Sequence, residues 1–210
     1  MRILPASDPG ALDEAIKVLR AGGVVVHATE TCYGLACDLG NRDAVEKVFV
    51  LKTRPPSQPI SALFSSVEAS KQYVEWNEKA EELALEGLPG PLTLILPLRR
   101  DAPTQLYPRL EQSKESSAPG TWPLALGPSV GVRVSSHSLA QSLVTSFGSP
   151  LSTTSANRHG EKNPYTREQI LGTWPEGGPD LFLDSGTLPE MPPSRVLDLT
   201  TGEEPTVRRR

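Results

Sequence analysis

Two cations stand two residues apart where a predicted helix meets a pair of prolines. Lys52 and Arg54 belong to the segment Leu-Lys-Thr-Arg-Pro-Pro, and the prolines are expected to end the helix. If this segment is extended, side chains at positions i and i+2 point to the same side. Two such cations could clamp a polyphosphate, with the arginine as a bidentate fork. The same residues also fit a solvated helix end whose cations interact with the helix dipole.

Two more polar features accompany apolar strand segments. The sequence Thr-Thr-Ser-Ala-Asn over 153–157 could aim a hydroxyl and an amide at a phosphate or a substrate carboxylate. It also fits a β-turn capped by the asparagine. Arg133 lies within the apolar segment Val-Gly-Val-Arg-Val. Because a buried cation needs a partner, we expect Arg133 either in an internal ion pair or in the wall of a cavity.

The sequence pairs no nucleophile with a base. It has no Walker sequence and no G-x-G-x-x-G after the first predicted strand. The three histidines and two cysteines lack metal-ligand spacing, so we predict reduced thiols and no metal held by the protein. His137 is expected as a helix cap or surface residue. A site of amides, hydroxyls and cations suits phosphate groups and works by positioning and charge stabilisation, as in nucleotidyl transfer.

Length and charge limit the classes of protein to which the chain can belong. Its 210 residues fit one domain with a sizeable core. The net charge of −4 argues against a surface that is wholly a nucleic-acid clamp, but it is compatible with a local basic patch. No apolar run approaches the roughly 20 residues of a membrane helix, and no signal peptide is recognisable. We therefore expect a cytoplasmic protein without a membrane partner.

Helices and strands interleave along the chain, which predicts an α/β fold with a twisted mixed sheet. Connections of unequal length argue against a regular parallel barrel. A long surface loop is expected over 99–128, which is rich in proline, serine and charge. Helices are predicted from Asp8 to the glycine pair at 22–23, from Asn41 or Asp43 to Leu51, from Ser65, over 77–86, over 138–147 and from Thr166. Strands are predicted over 24–28, 60–64, 92–96, 130–134, 150–154, 181–183 and 196–199.

Six short segments stand in a fixed order along the chain. They are Thr-Glu-Thr-Cys-Tyr-Gly-Leu at 29–35, Leu-Lys-Thr-Arg-Pro at 51–55, Pro-Gly-Pro-Leu-Thr at 89–93, Val-Gly-Val-Arg-Val at 130–134, Thr-Ser-Ala-Asn at 154–157, and Pro-Ser followed by Val-Leu-Asp-Leu within 193–199. Together they resemble the segments of the YrdC-like family of threonylcarbamoyl-AMP synthases. The length of the chain is similar to that of the short, single-domain TsaC branch.

The resemblance implies a single YrdC-like domain over 1–210, in which a twisted mixed sheet flanked by helices surrounds a central basic cavity. It implies a nucleotidyltransferase, an L-threonylcarbamoyladenylate synthase, that converts L-threonine, bicarbonate and ATP to threonylcarbamoyl-AMP and pyrophosphate. Mg²⁺ is expected on the nucleotide phosphates rather than on protein ligands. Partner proteins of the t6A pathway would then transfer the threonylcarbamoyl group to adenosine 37 of tRNAs that read ANN codons.

The resemblance also divides the site residues between two substrates. The ATP side is expected to contain the catalytic residues Lys52, Arg54, Ser155 and Asn157, assisted by Asn163 and Arg208. The threonine side is expected to contain Thr31, Arg133, Thr153 and Ser194. Of these, Arg133 is the expected partner of the threonine carboxylate.

A function of a different class stays open, namely a double-stranded RNA or tRNA-binding module without adenylating activity. Basic residues that could contact tRNA are expected in loops, at Lys52, Arg54, Arg133, Arg158, Lys162 and 208–210. The net charge and the low aromatic content of 5% argue against this function. A steep salt dependence of RNA affinity without ATP turnover would favour it. A carbamoyl-adenylate former is a further enzyme alternative, but the additional domains of such enzymes are missing from this sequence.

Overall fold

The computed structural model describes residues 1–54, 60–102, 129–200 and 205–209. Within these ranges the chain alternates between six helices and ten strands. The helices are α1 (Ala11–Arg20), α2 (Arg42–Lys52), α3 (Val67–Ser70), α4 (Glu78–Gly87), α5 (Ser138–Phe147) and α6 (Arg167–Thr173). The strands are β1 (Arg2–Pro5), β2 (Val25–Ala28), β3 (Tyr33–Ala36), β4 (Ser61–Leu63), β5 (Leu92–Pro97), β6 (Ser129–Arg133), β7 (Leu151–Ser155), β8 (Leu181–Asp184), β9 (Arg195–Asp198) and β10 (Thr206–Arg209).

These ten strands form one mixed sheet in the order β1-β8-β2-β3-β7-β4-β6-β5-β9-β10. Strand β8 runs parallel to both β1 and β2, and the pairs β4–β6 and β5–β9 are also parallel. The other neighbouring pairs are antiparallel. The predicted single-domain α/β fold with a mixed sheet flanked by helices is therefore confirmed.

Helices α1 and α5 pack against each other and against β2. Ala15, Ile16 and Leu19 of α1 are buried there, with Leu19 fully inaccessible, and Leu143 of α5 is equally buried. Burial of each of these leucines stabilises the fold by roughly 2 kcal/mol. This layer covers β2, β8 and one end of β3, β4 and β7, and a second, larger apolar cluster includes residues of α2, α4, β5 and β6.

Most of the described helices begin at a side-chain cap, as predicted at Asn41 and Thr166, whereas α3 is capped by Ser66 and not by the predicted Ser65. Asn41, Ser66, Asn77 and Thr166 each accept a hydrogen bond from the backbone N–H three residues further on. Helix α5 has the predicted bounds, and His137 caps it. The prediction that α1 opens at Asp8 is wrong. The Asp8 carboxylate accepts from the Gly10 backbone N–H in a preceding turn, so the helix begins only at Ala11.

The sequence pattern misses strands β1, β3 and β10. Each has four residues, and they are uniformly buried in β3 and uniformly exposed in β10, so the alternation that marks a strand is missing. The expectation that the basic residues lie in loops is wrong at several positions. Lys52 ends α2, and Arg208 and Arg209 lie in β10, whereas Arg133 ends β6 within the strand predicted over 130–134.

Two sequence predictions cannot be compared with the structure. Pro55 and Pro56, the expected helix stop, and residues 103–128 of the expected long loop lie outside the described residues. Among the residues that are described, no helix has the length and apolar character needed to cross a membrane.

Candidate functional site

A cavity of about 880 Å³ opens on the face of the sheet that α1 and α5 cover elsewhere. On β7, Thr153 and Ser155 line the cavity, whereas Leu151 packs beneath α1 and α5. Because strand residues two apart share a face, the apolar layer and the polar cavity occupy neighbouring parts of one surface. The described lining comprises Thr29, Thr31, Cys32, Gly34, Arg54, Ile60, Ser61, Thr93, Ile95, Ser129, Gly131, Arg133, Thr153, Thr154, Ser155, Asn163, Pro193, Ser194, Val196, Asp198, Arg208 and Arg209.

Strand alternation explains why small and polar side chains collect in this cavity. On β6, Gly131 and Arg133 line it, while Val130 and Val132 belong to the apolar core on the other face. Gly131 also leaves room for its neighbours, because an added Cβ would collide with the Ser61 hydroxyl oxygen. The period-two pattern of the sequence thus separates site from core along the same strand.

The cavity brings together most of the residues expected at the two substrates. Eight line it, namely Thr31, Arg54, Arg133, Thr153, Ser155, Asn163, Ser194 and Arg208. Lys52 and Asn157 are not part of the described lining. Both are buried, with exposed fractions of 2% and 6%.

Lys52 lies behind the wall and is fully hydrogen-bonded. Its Nζ donates to the backbone oxygens of Ser155 and Asn157, at 2.6 Å and 2.9 Å, and to Asn157 Oδ1 at 3.0 Å. Burial, with a contribution from the Arg54 cation, lowers the pKa of Lys52 to about 8. The expected extended geometry of this segment is wrong. Lys52 ends a helix, and Thr53 turns the chain with a left-handed φ of 49° before Arg54 reaches the cavity.

Arg133 combines the two arrangements that the sequence left open, because it forms an ion pair and lines the cavity. Its Nη2 donates to Glu30 Oε1 at 2.7 Å and to Thr31 Oγ1 at 2.9 Å. Ser135 donates its hydroxyl to the other carboxylate oxygen of Glu30. Burial alone would raise the pKa of Glu30, but Arg133 and Ser135 together hold it below its ordinary value. The buried Nε of Arg133 has no acceptor among the described residues.

The turn between β2 and β3 places Thr31 beside Arg133. Thr29 Oγ1 accepts from the backbone N–H groups of Thr31 and Cys32, both at 3.2 Å, and donates to the Cys32 oxygen at 2.7 Å. The hydroxyl thereby fixes the turn in the way that Ser and Thr side chains do in tight loops. Cys32 lines the cavity, but burial raises its pKa, so the thiol is protonated at neutral pH.

Strand β10 brings two further arginines to the cavity wall. Arg208 donates through Nε and Nη2 to Asp198 Oδ2, at 3.1 Å and 2.8 Å. Arg209 donates through Nε to the Ser194 backbone oxygen at 2.9 Å and through Nη2 to Ser194 Oγ at 2.8 Å. Burial, followed by repulsion from Arg133, lowers the pKa of Arg209, which indicates that the two guanidinium groups are near each other. Ser194 is therefore held by Arg209, the residue that follows Arg208.

Sequence reasoning missed Glu30, Ser135 and Arg209. Glu30 could have been found, since a lone cation in a buried strand requires an anion and Glu30 is the acidic residue of the Thr-Glu-Thr segment. Arg209 has no such signal, because its role depends on β10, which the pattern does not reveal. In the described part of the chain, no group of three or more His, Cys, Asp or Glu side chains could hold a metal ion.

Comparison with known proteins gives a consistent family match. The Sua5/YciO/YrdC family model, described as "Telomere recombination", matches residues 17–210. A curated protein of Enterobacter sp. (strain 638), named threonylcarbamoyl-AMP synthase, is 28% identical over 197 residues, which are 92% of this chain and 94% of that protein. A protein of the same name from Vibrio cholerae is 31% identical over 163 residues, 76% of this chain and 78% of that protein.

A solved structure shares the fold and a similar level of identity. It is P. abyssi Sua5 complexed with L-threonine, with a TM-score of 0.78 and 29% identity. The match covers 94% of this chain but only 53% of that one, so this chain spans about half the length of that protein.

Proposed function

The chain belongs to the Sua5/YciO/YrdC family, and on that premise we propose that it is a threonylcarbamoyl-AMP synthase. L-Threonine, bicarbonate and ATP are the substrates, and threonylcarbamoyl-AMP and pyrophosphate are the products. The observation that carries the proposal is the single cavity in which eight of the residues expected at the two substrates meet. Its wall supplies hydroxyls and guanidinium groups, which suit a reaction between two anions.

The threonine side of the cavity is centred on Arg133. Arg133 lines the cavity, and its guanidinium can form a charge-assisted hydrogen bond with the threonine carboxylate. Glu30 holds the guanidinium from outside the described lining, so the carboxylate need not displace it. The hydroxyls of Thr31, Thr153 and Ser194 line the same space and can bind the polar groups of the amino acid.

The ATP side is formed by Arg54, Ser155, Asn163 and Arg208. Guanidinium groups bind phosphate oxygens in bidentate fashion and offset the charge that develops on pyrophosphate as it leaves. MgATP is the expected form of the nucleotide. Because the described residues offer no cluster of metal ligands, Mg²⁺ would be held by the phosphate oxygens, where it supplies further charge neutralisation.

The chemistry requires no protein nucleophile. The threonine amine and bicarbonate form an N-carboxylate, with loss of water, and one oxygen of this carbamate attacks the α-phosphorus of ATP. The bond between the α-phosphorus and the bridging oxygen breaks, and pyrophosphate takes the electron pair. Holding the two reactants in line accounts for much of the acceleration in such reactions. This requirement agrees with a cavity whose one lining thiol, Cys32, is protonated.

We place the product in tRNA modification. Threonylcarbamoyl-AMP is a mixed anhydride that can donate its acyl group, and the acceptor in this proposal is adenosine 37 of tRNAs that read ANN codons. Partner proteins of the t6A pathway carry out the transfer, which places the enzyme in the cytoplasm with its tRNA acceptors.

Pyrophosphate release from ATP tests the proposal directly. Purified protein is incubated with MgATP, with and without L-threonine and bicarbonate. We expect release that requires both, and a matched reaction with D-threonine should give none because the carboxylate, amine and hydroxyl cannot all reach their partners. Absence of release from folded protein would contradict the proposal. Release without threonine would indicate a different acid as substrate.

A further inference from the structure

We propose that Lys52 is a positioning residue that keeps Asn157 Oδ1 hydrogen-bonded, so that Ser155 can turn its hydroxyl hydrogen toward a phosphate oxygen of ATP. The inference rests on the proposed function and refines the ATP side of the site. It replaces the direct contact between Lys52 and phosphate that the sequence suggested.

The ammonium group of Lys52 has no hydrogen left for a ligand. Its three N–H donors match three acceptors, the backbone oxygens of Ser155 and Asn157 and the side-chain oxygen of Asn157. The side chain is buried and lies outside the described lining of the cavity. A contact with phosphate would require Lys52 to give up at least one buried carbonyl, which would then lack a partner.

The Ser155 hydroxyl lines the cavity, but its hydrogen points away from a ligand. Ser155 Oγ donates to Asn157 Oδ1 at 2.7 Å. The amide orientation of Asn157 is fixed by its Nδ2, which donates to the backbone oxygens of Glu161 at 2.7 Å and Lys162 at 3.2 Å. Phosphate oxygens only accept hydrogen bonds, so Ser155 must rotate its hydroxyl before it can bind one.

Lys52 removes the cost of this rotation. Asn157 Oδ1 accepts two hydrogen bonds, one from Ser155 and one from Lys52 Nζ at 3.0 Å. When the hydroxyl turns away, the buried oxygen keeps the charge-assisted bond from the lysine. Without Lys52 the same rotation would leave a buried acceptor unsatisfied, a penalty equivalent to about 10- to 100-fold in affinity.

The backbone of Lys52 ties the same elements together. Its carbonyl oxygen accepts from the His159 backbone N–H at 2.7 Å. The end of α2 is thereby joined to the loop after β7 through both the main chain and the side chain. Lys52 therefore sets the position of Ser155 relative to Arg54, because it contacts Ser155 and lies two positions before Arg54.

A double-mutant cycle tests the coupling. We expect K52M and S155A each to weaken binding of a non-hydrolysable ATP analogue by roughly 10-fold or more, and K52M/S155A to be no weaker than either single variant. K47M is the matched control, because Lys47 lies on the same helix and donates to the backbone oxygen of Gly22 away from the cavity. It should bind like the wild type. Multiplicative losses in the double variant would overturn the inference.

The dependence of ATP affinity on ionic strength distinguishes a positioning role of Lys52 from a direct contact between its charge and a phosphate. Loss of a cation that touches phosphate flattens the salt dependence of ATP affinity, whereas loss of a positioning residue leaves the slope unchanged. We expect K52M to keep the wild-type slope and R54M to flatten it. A flattened slope for K52M, in a preparation whose wild type releases pyrophosphate, would overturn this inference and leave the proposed function intact.

If K52M does not fold, the wild-type protein still decides the question. In its complex with the ATP analogue, we expect Lys52 Nζ to remain on Ser155 and Asn157, and Ser155 Oγ to lie within hydrogen-bond distance of a phosphate oxygen. A lysine that has moved onto the phosphates would refute the positioning role.

Discussion

Arg133 and Glu30 form the most deeply buried ion pair of the described residues, with side-chain exposures of 9% and 14%. Replacing the arginine alone, in R133M, leaves the Glu30 carboxylate buried beside only a hydroxyl. We expect this variant to lose roughly 3–5 kcal/mol of unfolding free energy, because an uncompensated charge remains in the interior. Urea unfolding at pH 7 measures the loss.

The double variant E30Q/R133M distinguishes the charge from the packing. It removes the carboxylate charge that R133M leaves behind, so we expect it to be more stable than R133M although it carries one more substitution. Both variants should lack threonine-dependent pyrophosphate release. If the double variant is as unstable as R133M, lost packing around the guanidinium explains the effect instead.

We expect His27 to make the stability of the protein depend on pH. It is fully buried in β2, its Nδ1 donates to the Ala28 oxygen at 3.0 Å, and burial lowers its pKa from 6.5 to about 4. Since the unfolded chain binds the proton more readily, stability that is fully present above pH 6.5 is lost as the pH falls toward 4. The total loss from this group is about 3 kcal/mol.

Unfolding curves between pH 7.5 and 4.5 test this prediction. H27F should remove the histidine contribution to the slope, whereas H159Q, at an exposed position, should keep it. A wild-type slope in H27F would show that other groups produce the pH dependence. Carboxylates held at a low pKa, such as Glu30, add a loss of the same sign at lower pH and remain in both variants.

At the scale of elements, Thr53 determines how α2 leads into the site. A β-branched residue with φ 49° and ψ 38° is strained, because its side chain crowds the backbone in the left-handed region. We expect T53G to gain about 1 kcal/mol of unfolding free energy while raising the KM for ATP, since the link to Arg54 becomes less rigid.

T53N is the control for the strain at this position, because asparagine tolerates the left-handed region and retains a side chain that restricts the backbone. It should gain stability with a smaller change in KM than T53G. Thermal unfolding and steady-state kinetics measure the two effects. A T53G variant that is less stable than the wild type would show that the hydrogen bond from Thr53 Oγ1 to the Lys52 oxygen outweighs the strain.

Elements with a strong local signal were predictable, and those defined by their partners were not. Helix α5 combines an apolar stripe with a capping residue and a glycine at its end, and its predicted bounds are those of the structure. Strand β10 has no buried residue and exists only because it pairs with β9. No local pattern in the sequence encodes such a pairing.

The same distinction holds for the site. Segments spread along the chain predicted which residues gather, since eight of them line one cavity. The sequence could not predict how deeply Lys52 and Arg54 lie within the cavity wall, because this depends on the direction of their side chains at the end of α2. The left-handed turn at Thr53 places Lys52 behind the wall and Arg54 in it. The buried partner Glu30 lies far from Arg133 in sequence, and only the turn after β2 brings it close.

At the scale of the whole molecule, one face of the sheet contributes both to the apolar core and to the cavity. Its apolar half packs beneath α1 and α5, and its polar half lines the cavity. The two halves meet along β3, β4 and β7. On each of these strands, residues two positions apart point to the same face, where one packs beneath the helices and the other lines the cavity. Stability and substrate binding are therefore carried by adjacent parts of the same strands, and changes near this boundary should affect both.

The edge strand β10 is expected to contribute more to the site than to the stability of the fold. All four of its residues are exposed, and its contacts with the rest of the sheet are made through β9, Asp198 and Ser194. Removal of residues 205–210 should therefore change the melting temperature by only a few degrees, because little apolar surface is lost and the buried Asp198 carboxylate keeps its hydrogen bonds from the Thr200 backbone N–H and hydroxyl. Pyrophosphate release should fall at least about 10-fold, since two guanidinium groups leave the cavity wall. The control variant R208Q/R209Q keeps the strand and should lose activity to the same extent. If the truncated protein is unfolded, β10 is needed to stabilise the sheet and the prediction is wrong.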